Sequence, residues 1–239
     1  MQRHELSMII EQQLFEHYCQ PIYDLNNQLP NGAEMLLRAR FATPDIIFNE
    51  AKKADCLYEL DTLSIIKALE IQQSYRDRLF FLNVFPSTLK NPLFPEFLEY
   101  TVRDLPLIRE KIVFEINEGE SVFDLSLLRD RINWLKEIGF QVALDDVGKG
   151  ALSLTNMIEL NVNFIKLDRY FSNHLHLSTK KQNMISAILH YCHANHIKVI
   201  LEGIETEEEL LTANSLGVDM GQGYYLGKPE KTNLQHNSF

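Results

Sequence analysis

Apolar positions along the chain recur in two rhythms. Short runs rich in β-branched and aromatic residues occupy Gln20–Leu25, Ala33–Arg40, Leu79–Val84, Lys111–Asn117, Gln141–Val147, Phe164–Asp168, Lys198–Ile204 and Gly221–Leu226, a pattern that predicts strands. Between the later runs, apolar residues return at helical spacing over Leu57–Arg78, Leu125–Ile138, Lys180–His196 and Glu207–Leu216. Thr206 followed by Glu209 has the spacing of a capping box for the last of these helices. Strands alternating with helices predict βα units around a parallel sheet, and eight such strands in 239 residues predict an α/β fold, a (β/α)8 TIM-type barrel. One link departs from that scheme. Only Asn26–Gly32, rich in turn formers, separates the first two runs, whereas a parallel crossover needs about a dozen residues. The first strand is therefore expected to be antiparallel to the second. No linker, repeat or low-complexity stretch interrupts the pattern, so residues 1–239 read as one domain, with only the first several residues and the tail from Lys231 dispensable.

The strands carry charges where a barrel interior is ordinarily apolar. Alternation puts Lys166 and Asp168 on one face and Ile165 and Leu167 on the other. Glu115 and Asn117 share a face, and so do Glu34, Leu36 and Arg38. The outward face of a barrel packs on helices, so these groups point inward, where an unpaired charge is costly. The inward or strand-end set is Glu34, Asn83, Glu115, Asp145, Asp146, Lys166, Asp168, Glu202 and Glu205. Nearly all are hard oxygen donors, which suit Mg²⁺ or Mn²⁺ rather than zinc. Carboxylates this crowded repel one another unless cations neutralise them. The adjacent Asp145 and Asp146 could serve two neighbouring ions, as in two-metal phosphoester hydrolysis. Lys166 could hold or activate the attacking water or balance phosphate charge, and Arg38 suits a phosphate oxygen. If the first strand runs backwards, its start lies at the same mouth, which brings Gln20 to the site.

Charge narrows the partners. The net charge is −10, which argues against binding a nucleic-acid polymer through its backbone. It leaves room for a small phosphate ligand held through metal ions. Cys19, Cys56 and Cys192 are few, scattered and without a CxxC pair, so neither a disulfide framework nor a thiolate zinc site follows. No apolar signal region and no stretch near the roughly 20 apolar residues of a membrane span is present. A cytoplasmic protein without membrane insertion is expected.

Eight motifs follow one another in the order QPIYDL, AEMLLR, LNVFPSTL, FEINE, LDDVGKG, FIKLD, ILEGIET and QGYYLGKP. In that series the chain resembles the EAL-type cyclic-di-GMP phosphodiesterases over about Gln20 to Pro229. The resemblance implies cleavage of one phosphodiester of cyclic di-GMP to linear pGpG by a two-metal mechanism with Mg²⁺ or Mn²⁺, in a homodimer. Carried over by position, Glu34, Asn83, Glu115 and Asp145 hold the first metal, and Asp145 bridges to a second beside Asp146 and Glu202. Lys166 positions the nucleophilic water or acts as its base. Glu34, Asp146 and Glu205 count with Lys166 among the catalytic residues, Glu205 by supporting the second-metal region. Gln20, Leu36, Arg38, Asp168 and Gln222 contact the nucleotide or order the site. Glu118 anchors the loop after Asp146.

Two departures stand out against the family pattern. Met35 replaces the alanine of the EALLR motif, on the face that alternation turns toward the helices. The family's DFGTGYSSL loop reads Asp146-Val147-Gly148-Lys149-Gly150-Ala151-Leu152-Ser153-Leu154, keeping the glycines but changing residues linked to second-metal placement and dimer communication. That change motivates an alternative reading: a catalytically silent EAL domain acting as a cyclic-di-GMP receptor or protein-binding regulator. An unrelated metal-dependent barrel enzyme would account for the carboxylates but not for the motif series. His190, His193 and His196, and the pair His174 and His176, read as solvated or partly buried side chains. Trp134, Phe80, Phe81 and Phe85 read as packing.

Overall fold

The short link after Leu25 does what its length requires. In the computed structural model, which describes residues 3–40, 42–117, 125–148 and 154–232, β1 (Phe15–Asp24) and β2 (Leu29–Ala39) form an antiparallel ribbon in which Gln20 faces Glu34. A helix α1 (Arg3–Glu11) precedes them. After the ribbon come α2 (Pro44–Lys53), α3 (Leu57–Ile71), β3 (Leu79–Val84), α4 (Pro86–Lys90), α5 (Phe94–Arg103), β4 (Ile112–Asn117) and α6 (Leu125–Glu137). The chain continues through β5 (Gln141–Val147), α7 (Leu154–Glu159), β6 (Phe164–Leu167), α8 (Arg169–Ser172), α9 (Thr179–Ala194), β7 (Lys198–Leu201) and α10 (Glu207–Leu216). It ends in β8 (Met220–Gly221) and β9 (Glu230–Lys231).

Strands β2 to β8 pair in sequence order, all parallel, and β8 pairs antiparallel with β1, which closes the ring on β2. This is the expected TIM-type barrel with a reversed first strand. Ile22, Leu79, Phe81, Val113, Ala143, Phe164, Ile200 and Met220 fill its interior as one buried cluster. The Phe81 and Phe164 rings meet edge to face, 5.4 Å apart. The barrel is thus a plugged core, and polar side chains are left to its carboxyl-end mouth. The opposite strand faces pack on the helices in a second, larger cluster that contains Met35, Phe80 and Phe114. Met35 therefore lies on the helix side, as alternation requires.

Several boundaries differ from the sequence reading. The first residues, expected to be dispensable, include a packed helix: α1 buries Leu6, Ile9 and Ile10 against Phe15, Leu37, Ile47 and Leu60. Their spacing puts all three on one helical face. Lys231 pairs with Tyr18 in β9, and the Thr232 hydroxyl donates to the His17 carbonyl at 2.8 Å. The helix expected over Leu57–Arg78 stops at Ile71 and tightens into a 3-10 turn through Tyr75. The strand expected over Lys198–Ile204 stops at Leu201, because Gly203 turns left-handed at φ 67°. The strand expected over Gly221–Leu226 shrinks to Met220–Gly221. There the backbone of Gly223 lies so close to that of Ile204 that a Cβ would fall 2.1 Å from the Ile204 oxygen. Among the described residues, no helix is long and apolar enough to cross a membrane.

Candidate active site at the carboxyl mouth of the barrel

Lys166, at the centre of β6, is fully buried, and its Nζ lies 2.8 Å from Glu115, 2.9 Å from Glu202, 3.1 Å from Asp145 and 3.3 Å from Glu34. Strand register explains the convergence. In register, Asn83 pairs with Glu115 across β3–β4 and Asn117 with Asp145 across β4–β5, and alternation sends Val84, Phe114, Ile116 and Leu144 outward to the helices. Gln222 donates to Glu34 at 2.7 Å, and Asn83 donates to its other oxygen at 3.4 Å. Gln20 is buried beside Glu34 and donates to the Gly227 carbonyl. The reversed first strand thus delivers Gln20 to the mouth.

Two consecutive aspartates cannot both face inward on a regular strand. The β5–β6 register slips between Leu144 and Val147, and Asp146 adopts a left-handed backbone at φ 56°. A bulge of this kind re-aims side chains at a strand end. Asp146 sits close enough to help raise the Asp145 carboxyl above its usual range, although burial is the larger cause.

The electrostatics are lopsided. Burial and the neighbouring Glu34 charge push Glu115 well above the usual carboxylate range. Burial pushes Glu202 up to about 8. Burial works the same way on Glu34, but the Lys166 charge and the Gln222 hydrogen bond outweigh it and hold that group low. Burial opposes charge on Lys166 too, yet the surrounding carboxylates win and raise it well above its ordinary value. One ammonium therefore serves a group of carboxylates too large for it to neutralise.

This arrangement fits a divalent cation. Both Glu115 oxygens, Asp145 Oδ1 and Lys166 Nζ are buried without an aligned hydrogen bond, so their contacts are those of charges gathered around a cation. Among the described residues no group of acidic, histidine or cysteine side chains stands in a metal-binding arrangement, and here the carboxylates close on the Lys166 ammonium itself. The donors are hard oxygens, matched to Mg²⁺ or Mn²⁺.

A cavity of about 760 Å³ opens beside this cluster, lined by Glu34, Leu36, Arg38, Asn83 and Asp145 and reaching Phe48 and Ser64 between β2 and the α2–α3 pair. It is of the size that takes a small-molecule ligand. Among the described residues Arg38 donates only to the adjacent Leu37 carbonyl, which leaves most of its guanidinium available at the rim.

Two sequence-derived residues sit differently. Asp168 is buried, but its carboxylate caps α8 by accepting from Tyr170 N at 2.8 Å. Glu205 is not brought into the acidic cluster: the turn at Gly203 carries it to the surface, where it pairs with Arg169 at 3.3 Å. Glu118 and most of the altered loop, Lys149 to Ser153, lie outside the described residues. Of the histidines, His193 pairs with Asp219 at 3.0 Å.

Sequence reasoning missed Asp61, whose buried carboxylate accepts from Phe85 N at 2.9 Å and so ties the turn after Asn83 to α3. An acidic residue between Leu60 and Ile65 in an apolar helix was the available signal.

The chain is 30% identical over 230 residues to the cyclic di-GMP phosphodiesterase PdeA of Borreliella burgdorferi, covering 92% of this chain and 34% of that protein. It is 24% identical to the cyclic di-GMP phosphodiesterase PdeF of Escherichia coli, covering 94% of this chain and 31% of that protein. The chain thus spans about a third of the length of these curated relatives. Among solved structures, the EAL enzyme Bd1971 in its cAMP- and cyclic-di-GMP-bound form superimposes with a TM-score of 0.87 at 27% identity, covering 95% of this chain and 65% of that one. The EAL domain model itself matches residues 3–229, from α1 to the end of the last motif, and the chain belongs to the EAL domain family.

Proposed function

We propose that this chain hydrolyses one phosphodiester bond of cyclic di-GMP to give linear pGpG. The observation that carries the reading is the buried Lys166 ammonium ringed by Glu34, Glu115, Asp145 and Glu202 at the mouth of the barrel, with Arg38 on the rim of the adjoining cavity. The names of the similar proteins supply the substrate.

Glu34, Asn83, Glu115 and Asp145 would hold one Mg²⁺ or Mn²⁺, and Asp145, Asp146 and Glu202 a second. Such ions supply charge neutralisation and water activation for in-line displacement. The protein's own groups do the rest. Arg38 holds a phosphate oxygen. Lys166 orients the attacking water, a neighbouring carboxylate takes its proton as the water oxygen bonds to phosphorus, and the P–O3′ bond breaks, the O3′ oxygen taking a proton from solvent to leave a 5′-phosphate and a free 3′-hydroxyl. Glu34, pinned by Gln222 and Asn83, keeps one orientation throughout. Gln20, Leu36 and Gln222 border the nucleotide, Asp168 orders the β6 end through its cap, and Glu118 and Glu205 support the neighbouring loops. The protein acts in the cytoplasm as a homodimer.

The changed residues at 147, 149, 151 and 152 favour a second reading, a receptor that binds cyclic di-GMP without cleaving it. Purified protein incubated with cyclic di-GMP and Mg²⁺ or Mn²⁺, with products resolved by ion-exchange chromatography and binding followed in parallel, separates the two. Metal-dependent pGpG formation is expected. Tight binding without product would replace the hydrolase by the receptor.

A further inference from the structure

Glu209 does more than a helix cap requires. The capping box accounts for its reciprocal bonds with Thr206, Thr206 N to Glu209 Oε2 at 3.3 Å and Glu209 N to Thr206 Oγ1 at 3.3 Å. The same buried carboxylate, 4% exposed, also accepts from Glu205 N at 2.9 Å and, through its other oxygen, from His174 N at 2.8 Å. His174 lies beyond α8 and holds a left-handed backbone at φ 53°, a conformation that persists in a non-glycine residue only where its surroundings impose it. One carboxylate therefore gathers main-chain N–H groups from two loops. One loop follows β6, which carries Lys166; the other follows β7 and carries Glu202.

Further links join the same two loops. The Ser172 hydroxyl lies 2.9 Å from the Gly203 carbonyl and 3.0 Å from that of Arg169. A Cβ on Gly203 would come within 2.4 Å of the Arg169 side chain, so the loops are packed without spare room. Glu202 precedes Gly203 directly, and its Oε1 rests 2.9 Å from Lys166 Nζ.

We propose that Glu209 is a positioning residue: acting through the backbones of Glu205 and His174, it holds Glu202 in register with Lys166 and thereby sets the cation affinity of the site. The inference rests on the reading above, in which Glu202 is a cation ligand. Groups that orient ligands in this indirect way typically affect metal affinity by about 10–100-fold.

The test compares three variants by Mn²⁺ titration calorimetry, thermal unfolding and steady-state hydrolysis of cyclic di-GMP. Thr206→Ala removes the threonine half of the cap and leaves the His174 and Glu205 bonds, so it should lower the melting temperature with Mn²⁺ affinity and kcat within twofold of wild type. Glu209→Ala should weaken Mn²⁺ binding by about 10-fold or more and lower kcat similarly, with KM little changed. Glu209→Gln has one oxygen to share between two loops and should lie between, about 3–10-fold below wild type in affinity. Glu209→Ala binding Mn²⁺ as tightly as wild type would overturn the proposal, and so would Thr206→Ala losing as much affinity as Glu209→Ala. If Glu209→Ala does not fold, Glu209→Gln decides, and wild-type affinity in that variant overturns it. Wild-type protein that binds Mn²⁺ but never forms pGpG would instead sink the hydrolase reading and leave Glu209 to be judged on metal affinity alone.

Discussion

Lys166 shows how far a single side chain was legible. Its inward direction followed from alternation in Phe164–Asp168, and its chemistry from the acidic residues at similar depths on other strands. That four carboxylates would close on its Nζ within 3.3 Å was beyond sequence, because the depth of each residue depends on barrel stagger. Replacing Lys166 with methionine leaves those carboxylates buried without a counter-charge. In chelator, Lys166→Met should lose about 3–5 kcal/mol in urea unfolding; unchanged stability would mean that the cluster is not electrostatically strained. Lys166→Ala, Glu34→Ala and Asp146→Asn should each lower pGpG formation by about 100-fold or more while the circular dichroism of metal-loaded protein stays native. Near-normal turnover in all three would refute the roles assigned to them. A different residue governs acid stability. Burial, helped by the Lys67 charge, pulls His17 down to about 4, and its Nε2 meets Ser64 at 3.2 Å. Because its folded value lies below its unfolded one, the unfolded chain binds the extra proton between about pH 6.5 and 4. The stability tied to a neutral His17 is complete above that window and drains as pH falls through it, by about 1.4 kcal/mol per unit. His17→Gln should flatten this part of the pH–stability curve; an unchanged slope would assign the acid sensitivity elsewhere.

Elements were legible in proportion to their periodicity. Leu79–Val84, Gln141–Val147 and Glu207–Leu216 appear with the expected ends, and the Thr206–Glu209 capping box is present. Where backbone conformation overrides side-chain pattern, the reading slipped. Gly203 and Gly223 cut two expected strands short, and the signal lay in the glycines themselves rather than in hydrophobicity. Gly223→Ala is expected to push the Gln222 segment off Ile204 and to reduce activity at least as severely as loss of Gln222 itself, since the clash is with backbone that has no room to move; wild-type turnover would show that the two segments can separate. Helix α1 was overlooked because its apolar face is only three residues deep. Ile9→Ala should cost about 2–5 kcal/mol, measured by urea unfolding, despite its distance from the site. The loop after Asp146 belongs at this scale too. Substituting phenylalanine, threonine and tyrosine at Val147, Lys149 and Ala151 should raise turnover, and no increase would remove that loop as a cause of altered activity.

For the whole molecule, a cation held at the acidic mouth would couple its binding to folding. Any ion that binds only the folded barrel stabilises it by mass action, about 2.7 kcal/mol at one hundred times its dissociation constant. Mn²⁺ should therefore raise the melting temperature and chelator should reverse the rise; indifference to both would argue against a cation site in Glu34, Glu115 and Asp145. The barrel class itself was readable from the alternation of strands and helices, and its reversed first strand from the brevity of Asn26–Gly32, because chain length limits topology more tightly than any propensity does. That reversed strand also has a consequence during synthesis. Its partner across the seam is β8, with Tyr23 on Gly221, and β9 lies beside it, with Tyr18 on Lys231. The barrel's first strand to leave the ribosome waits for the barrel's last two strands. Until they emerge, every nascent chain carries two raw sheet edges, at β1 and at the latest strand made. Such edges invite pairing with other chains. Slow translation of the codons for β8 and β9 would prolong that exposure, and a chaperone that shields open sheet edges would have its greatest value in that interval.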